Sequence, residues 1–488
     1  MASEGCPNLG KIERMIDDRP ASLVDTMASA ARAESAVIAY RLDAIARLYK
    51  HRCRDYEDAQ FWYTDVVEAV GAEVSAAQNI SRGRAIPQVR QAVSLHERLP
   101  QVAAVFARGD IDYRMVQILI TRTENVLDEV IAELDRSLAR QVHKWMRLSK
   151  PKLRDRIDMW VAEHDPAGVR VPPIVEEQRY VEVEPHPTVA GMALIGGVLN
   201  AADAEAIDQR LDLIADSVCA NDPRSKRQRR ADATGALGRL EGSLACLCGS
   251  SDCPAATVRD SAARVVIHVL AEQHTLDGTS PRPGYLSGFG VLPAESVRRI
   301  ATTAKIRPVR LPGAGAEKGY RPSAALRDFV RWRDLTCRFP GCDRPVMGCD
   351  VDHTTPWPFG WTHASGLKHY CRTHHLIKTF YTGPDGWKDE QRTDGSIVVT
   401  SPTGHVYVTE AFGGILFPGL ATPTATIPTA TPTESTDRSA MMPMRTRTRE
   451  QDRRHRIAQE RRQRQELDAE LERQRQARLS ATYEPPPF

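Results

Sequence analysis

At 488 residues, 41% apolar and 26% charged, the chain has the composition of a globular protein long enough for two or three domains. No run approaches the roughly 18 consecutive apolar residues of a membrane span, and MASEGCPNLGKIERMIDD lacks the apolar stretch of a secretory signal, so a membrane role is excluded and a cytoplasmic location expected. The net charge of +3 hides an uneven distribution: thirteen Lys and Arg stand against six Asp and Glu from Lys305 to Lys378, and twelve against seven from Arg445 to Arg478, in an otherwise acidic chain.

Residues 1–165 read as a helical bundle. In SAVIAYRLDAIARLYKHR the apolar side chains Val37, Tyr40, Leu42, Ile45 and Leu48 recur at three- and four-residue spacing, as an amphipathic helix requires. The pattern repeats in QVRQAVSLHERLPQVAAVFARGDIDYRMVQILI, with breaks at Pro100 and at Gly109-Asp110.

Residues 166–304 read as an α+β continuation. RYVEVEPHPTVAGMALIGGVL alternates around turn residues as a β-hairpin does, and a helix is expected from Ala201 to about Ala215, capped by Asn200. ARVVIHVLA, Ala263 to Ala271, reads as a buried strand and LPAESVRRIATTA as a helix. Between them, CLCGSSDC offers Cys246, Cys248 and Cys253 as a candidate second zinc site that lacks a fourth ligand nearby. Cys6, Cys53 and Cys219 read as ordinary thiols, because cysteines of a long cytosolic chain are expected to be reduced unless they cluster with other ligands.

Residues 305–418 hold the densest chemistry. From Cys337 to Lys378 the chain carries four cysteines, five histidines and three aspartates. Cys337 and Cys342 are separated by four residues, and Cys371 and His374 by two. Each pair can reach one tetrahedral ion across a turn, so a structural zinc held by Cys337, Cys342, Cys371 and His374 is expected. Cys349 is left over. Asp352, His353 and His375 form a second polar set. An aspartate and a histidine suit Mg2+, Mn2+ or a similar ion, and a further unligated histidine can deprotonate water near neutral pH. Phosphodiester hydrolysis needs that division of labour. The surrounding cations Arg331, Arg333, Arg338, Arg344, Lys368 and Arg372 are candidate phosphate contacts on DNA.

Downstream, GWKDEQRTDGSIVVTSPTGHVYVTEAFGGILFP reads as a short β-hairpin extension. Residues 419–444 form a Thr/Pro-rich linker. Residues 445–488 form an Arg-rich tail with too few apolar residues for a coiled coil, expected to be a solvated helix that either contacts nucleic acid or contacts nothing.

CRFPGC, VDHTTPWPFGWTHASGLKHYC and CRTHHLIK resemble the zinc-containing HNH nuclease motif, a ββα-metal unit. With GWKDEQ…SPTGH and the long helical region, about residues 20 to 418 resemble the actinobacterial thirteen-E-twelve repeat family. Its members join a domain of unknown function to a C-terminal HNH domain. The resemblance implies a mainly α fold with α+β parts and a small zinc domain. It makes His353 the general base, Asp352 and His375 the ligands of a catalytic divalent metal, and the Cys3His set the ligands of structural zinc. One position departs: the family's middle Asn falls on Gly366, which has no side chain to orient the base or the metal, and His363, Ser365 and His369 are the nearest substitutes. The expected function is a metal-dependent DNA endonuclease weakened at that position. The alternatives are a catalytically silent zinc-stabilised DNA-binding module linked to mobile or repeat elements, or a zinc-stapled scaffold for other proteins.

Overall fold

The computed structural model describes residues 19–171, 179–199, 201–256, 268–302, 304–383, 385–425 and 442–481. Residues 1–171 and 311–488 form one compact unit and residues 172–310 another.

The first unit opens with seven helices: α1 (Pro20–Asp55), α2 (Val66–Gln78), α3 (Arg82–Glu97), α4 (Pro100–Ala107), α5 (Tyr113–Arg122), α6 (Asp128–Ala139) and α7 (Lys150–His164). The sequence sets their starts. Asp65 and Asp112 occupy the N-cap positions of α2 and α5, each accepting a backbone N–H three residues on, and Pro100 stands at the first position of α4. No side chain within α4 caps it. Asp135 of α6 does so instead, accepting the N–H groups of Gln101 at 2.7 Å and Val102 at 3.0 Å. A single apolar core built from all seven helices includes Leu42, Val70, Val89, Phe106, Leu119, Leu134 and Ile157.

Val37 and Tyr40 are exposed, contrary to the expected face of α1. The stripe that packs inward runs through Ile38, Leu42, Ile45 and Tyr49. At 3.6 residues per turn, position 37 falls on its flank and position 40 on the opposite face.

The second unit begins with an antiparallel hairpin, β1 (Tyr180–Pro185) with β2 (Ala193–Val198), in the register Tyr180↔Val198. Helices α8 (Ala201–Ala215) and α9 (Lys226–Gly238) follow. Next come β3 (Val269–Leu270), the single turn α10 (Gln273–Leu276), β4 (Gly284–Leu286), β5 (Gly290–Leu292) and α11 (Ala294–Ala301), with a sheet order of β3-β4-β5. Only the end of the strand expected over Ala263–Ala271 falls within the described residues, as β3; Asn200 lies outside them.

The first unit resumes with α12 (Ala324–Asp334), β6 (Cys349–His353), β7 (Leu367–Cys371) and α13 (Arg372–Phe380). The antiparallel pair places Cys349 opposite Cys371 and Asp352 opposite Lys368. Strands β8 (Lys388–Gln391), β9 (Ile397–Thr400) and β10 (Val406–Thr409) form a three-stranded sheet, one strand more than the hairpin the sequence suggests. The short helix α14 (Phe412–Leu416) follows and packs at the end of α12, where a Cβ on Gly413 would meet the carbonyls of Trp332 and Arg333.

This C-terminal part is not free-standing. Ala69, Ala72 and Ala76 line one face of α2 and share a core with Phe339, Tyr370, Ile377, Tyr381, Trp387 and Ile397. Alanines at that spacing leave room for aromatic rings to approach the helix closely. Gly341, at φ +76°, faces the end of α2, where a Cβ would lie 2.6 Å from Ser75 O and 2.7 Å from Ile80 O.

Residues 426–441 of the expected linker lie outside the described residues. The tail is α15 (Arg449–Ala481); its first half is docked, while residues 471–480 are exposed as expected. Met442 is buried, and Arg445 N–H donates to Phe61 O at 2.7 Å. Arg449 pairs with Asp65 and Glu68, Arg456 with Glu124, and Arg461 with Asp165, while Glu460 receives Arg170 at 2.8 Å. Among the described residues, no helix is long and apolar enough to cross a membrane.

Candidate functional site

Strand β7 runs directly into α13, and Cys371 sits at the junction as the N-cap residue, which puts His374 one helical turn along. The preceding loop folds back so that Cys337 N–H donates to Arg344 O and Cys342 N–H to Phe339 O. The result is one group in which the ligand atoms of Cys337, Cys342, Cys371 and His374 all lie within 4.8 Å of one another. His374 Nδ1 is 3.5 Å from Cys337 Sγ and 3.4 Å from Cys371 Sγ. The Cys371 N–H points at Cys337 Sγ at 3.2 Å, the Arg344 backbone N–H is directed to the Cys342 sulfur, and the Phe339 ring stacks on His374. Amides aimed at sulfur favour thiolates, the form that binds metal. These four residues can hold a structural ion. Cys349 lies beside them, its Sγ directed at Pro345 O.

The second polar set gathers where β6 and β7 meet α13. His375 Nε2 lies 3.4 Å from Asp352 Oδ1, and His375 Nδ1 lies 2.9 Å from Asp350 Oδ2. Burial alone would disfavour a charged imidazole, but the two carboxylates outweigh it and raise the His375 pKa. Asp352 is buried and also receives Lys368 at 2.8 Å on Oδ2 and Lys378 at 2.9 Å on Oδ2 and 3.2 Å on Oδ1. Burial opposes its charge too, yet Lys368, Lys378 and His375 hold its carboxyl well below the usual range. Lys378 further donates to the carbonyls of His353 and Thr354.

His353 lies in a different setting. Burial lowers its pKa, favouring the neutral ring at pH 7. Its Nε2 is 3.0 Å from Thr362 Oγ1, and that hydroxyl donates to Gly319 O at 2.6 Å. The Thr362 oxygen is then left to accept from Nε2–H, a tautomer assigned from this network, so Nδ1 keeps its lone pair. Tyr320 stacks on the ring at 5.3 Å.

Three of the expected phosphate contacts are corrected by burial. Lys368 is wholly inaccessible between Asp352 and Asp389. Arg333 and Arg338 both pair with Asp334; Arg333 also donates to the carbonyls of Ala364 and Leu367 and Arg338 to those of Gly395 and Thr409, while Arg338 Nε has no hydrogen-bond partner among the described residues. Arg331 is half-buried near Asp328, whereas Arg344 is exposed and Arg372 is 58% exposed beside Asp350. Of the residues flanking Gly366, His363 bonds Ser365 and Gly313 O, and His369 points to Asp334. Thr362, Tyr320 and Lys378 went unnoticed in the sequence because an isolated Thr, Tyr or Lys carries no spacing signal. Only the loop's return over β6 brings Thr362 to His353.

A second thiol group lies in the 172–310 unit. Cys219, Cys246, Cys248 and Cys253 place their sulfurs within 4.8 Å of one another, so Cys219 is not an ordinary isolated thiol but the missing fourth member. It sits after α8, 27 residues before Cys246, and only the fold closes that gap.

Residues 29–334 match a family model described as a domain of unknown function, DUF222, a match that ends just before the Cys3His run. The uncharacterized protein Rv2100 of Mycobacterium tuberculosis (strain ATCC 25618 / H37Rv) is 41% identical over 467 residues, covering 87% of this chain and 84% of that protein. The uncharacterized protein Rv3776 of the same strain is 41% identical over 458 residues, covering 88% of this chain and 87% of its own. No solved structure matches the chain. With more than half its length matched by the family model, and with full-length relatives at this identity, the chain belongs to the DUF222 family.

Proposed function

We propose that the protein is a metal-dependent DNA endonuclease of the HNH type, hydrolysing phosphodiester bonds. The carrying observation is the β6–β7–α13 unit, which sets a carboxylate and an imidazole 3.4 Å apart beside a separately held neutral histidine. His353, with Nε2 anchored on Thr362, has Nδ1 available to take the proton of an attacking water. Asp350 orients His375 through Nδ1, which leaves Nε2 for a ligand, as a carboxylate–histidine pair at a metal site does. The donor set suits a divalent cation: Asp352 Oδ1 and His375 Nε2 would hold it, with Lys378, which reaches Oδ1 at 3.2 Å as well as Oδ2 at 2.9 Å, giving up its contact to Oδ1. Such an ion supplies charge stabilisation at a phosphate oxygen and at the leaving alkoxide. Arg344 and Arg372 are the exposed cations left for the DNA backbone.

One observation favours a second reading, a silent DNA-binding module. Lys368 and Lys378 already neutralise Asp352, and Gly366 supplies no orienting side chain. Plasmid nicking with Mg2+, Mn2+ or EDTA separates the two. The wild type is expected to nick with either ion and not with EDTA. His353→Ala should lose about 10²- to 10⁴-fold in rate, and Thr362→Val about ten- to a hundredfold, both with zinc content unchanged. Full activity in a clean His353→Ala preparation removes that residue from the base role. Activity confined to Gly366→Asn establishes the silent module; a Cβ there lies 3.2 Å from Trp361 O, so the loop must yield by a few tenths of an ångström. Failure to bind duplex DNA at low salt leaves the scaffold reading.

A further inference from the structure

We propose that Cys219, Cys246, Cys248 and Cys253 bind a structural zinc ion, separate from the Cys3His group, within the family-defining part of the chain. All four sulfurs lie within 4.8 Å of one another. A Zn–S bond of about 2.3 Å in a tetrahedron puts sulfurs about 3.8 Å apart, so the group has the size of a single-ion cage. A polynuclear iron–sulfur cluster spreads its thiolates over several irons and needs a wider one.

The surrounding backbone is arranged for thiolates. The N–H groups of Asn221, Ser250 and Ala255 are directed at the sulfurs of Cys219, Cys248 and Cys253, each from two residues further along the chain. Gly249 adopts φ +75°, the left-handed conformation that turns the chain between Cys248 and Ser250. Amides repeated in this way stabilise negative sulfur, and four adjacent thiolates need a cation. In the Cys3His group the Arg344 N–H stands in the same relation to Cys342.

The two ends of the cage are also tied together without the ion. Asp222 accepts Leu247 N–H at 2.9 Å and both sides of the Arg224 fork, while Arg224 donates to Ala245 O at 2.8 Å. Cys246 N–H donates to Ala255 O at 2.7 Å. These bonds hold the loop after α8 against the Cys246–Cys253 loop. The apolar core beneath is small, with Ile214, Ala215, Ala233, Ala236 and Leu244 as its buried members. So small a core needs a staple. Four sulfur ligands leave no open position, so the ion is structural, and soft thiolates at tetrahedral spacing select zinc over Mg2+ or Ca2+.

The test uses the full-length chain purified under reducing conditions without added metal. Elemental analysis is expected to find two zinc ions per chain, falling to one in Cys219→Ser. Should that variant fail to fold, alkylation mapped by mass spectrometry decides on the wild type. Cys219, Cys246, Cys248 and Cys253 should resist iodoacetamide until a chelator withdraws zinc, and then react together. One zinc per chain, with these four cysteines alkylated before chelation or joined as disulfides, overturns the proposal. Iron in place of the second zinc overturns the zinc assignment.

Discussion

Asp334 holds the C-terminal part together at a single point. Its carboxylate accepts Arg333 at 2.9 Å, Arg338 at 3.0 Å and the His369 N–H at 2.9 Å, joining α12, the Cys337 loop and β7 with no exposure to solvent. Burial opposes its ionisation, but Arg333, His369 and Arg338 together keep it charged well below the usual carboxylate range. Asp334→Asn strands two buried guanidinium groups and should cost about 3–5 kcal/mol, read as a lower denaturant midpoint for the wild-type fold. Because the folded pKa is depressed, the stabilisation is complete above the unfolded carboxylate value of about 3.9 and is lost as pH falls below it. The gap between wild type and Asp334→Asn should therefore stay constant from neutral pH down to about 4 and narrow below that. A gap that closes already between pH 7 and 5 would mean that another group carries it. The same residues show why charge in a sequence misleads: Arg333 and Arg338 have the composition of phosphate contacts, and nothing in their spacing says that Asp334 already holds both.

At the scale of elements, α15 demonstrates docking through charge. With few apolar residues it was expected to stand in solvent, yet Arg449, Arg456 and Arg461 meet Asp65, Glu124 and Asp165 of the helical bundle. The positive balance of the tail is thus partly spent inside the molecule. Ion-pair docking weakens with salt, and at about 1 M the Debye length falls to about 3 Å. Tryptic cleavage within residues 449–464 should accelerate several-fold between low salt and that concentration, while cleavage within α1–α7 does not. A salt-independent rate would place the anchoring on Met442 and the backbone bonds to Phe61 instead. The turn and short helix around the Cys3His group, by contrast, were legible from its residues: two residue pairs at short spacing call for them, and the structure places Cys371 at the start of α13.

For the whole molecule, the shared core of α2 and the Cys3His part has a direct consequence. Ala69, Ala72 and Ala76 pack with Cys337, Phe339 and Cys371, so disrupting the Cys3His group should propagate into the helical bundle. Cys371→Ala is expected to raise amide hydrogen exchange in residues 66–78 as well as in 337–381. Exchange changes confined to 337–381 would show an autonomous zinc domain.

The sequence by itself determined the helices of the bundle, the hairpin of Tyr180–Val198 and the grouping of Cys337, Cys342, Cys371 and His374, because periodicity, capping and short ligand spacing are local properties. Tertiary structure alone decided that Cys219 completes a second thiol group, that Thr362 holds His353, that Lys368 lies buried on Asp352 and that the tail lies on the bundle. Each of these joins residues distant in the chain or chooses one partner among many charges. Such choices follow from which surfaces the packed core brings together, and no local pattern records them.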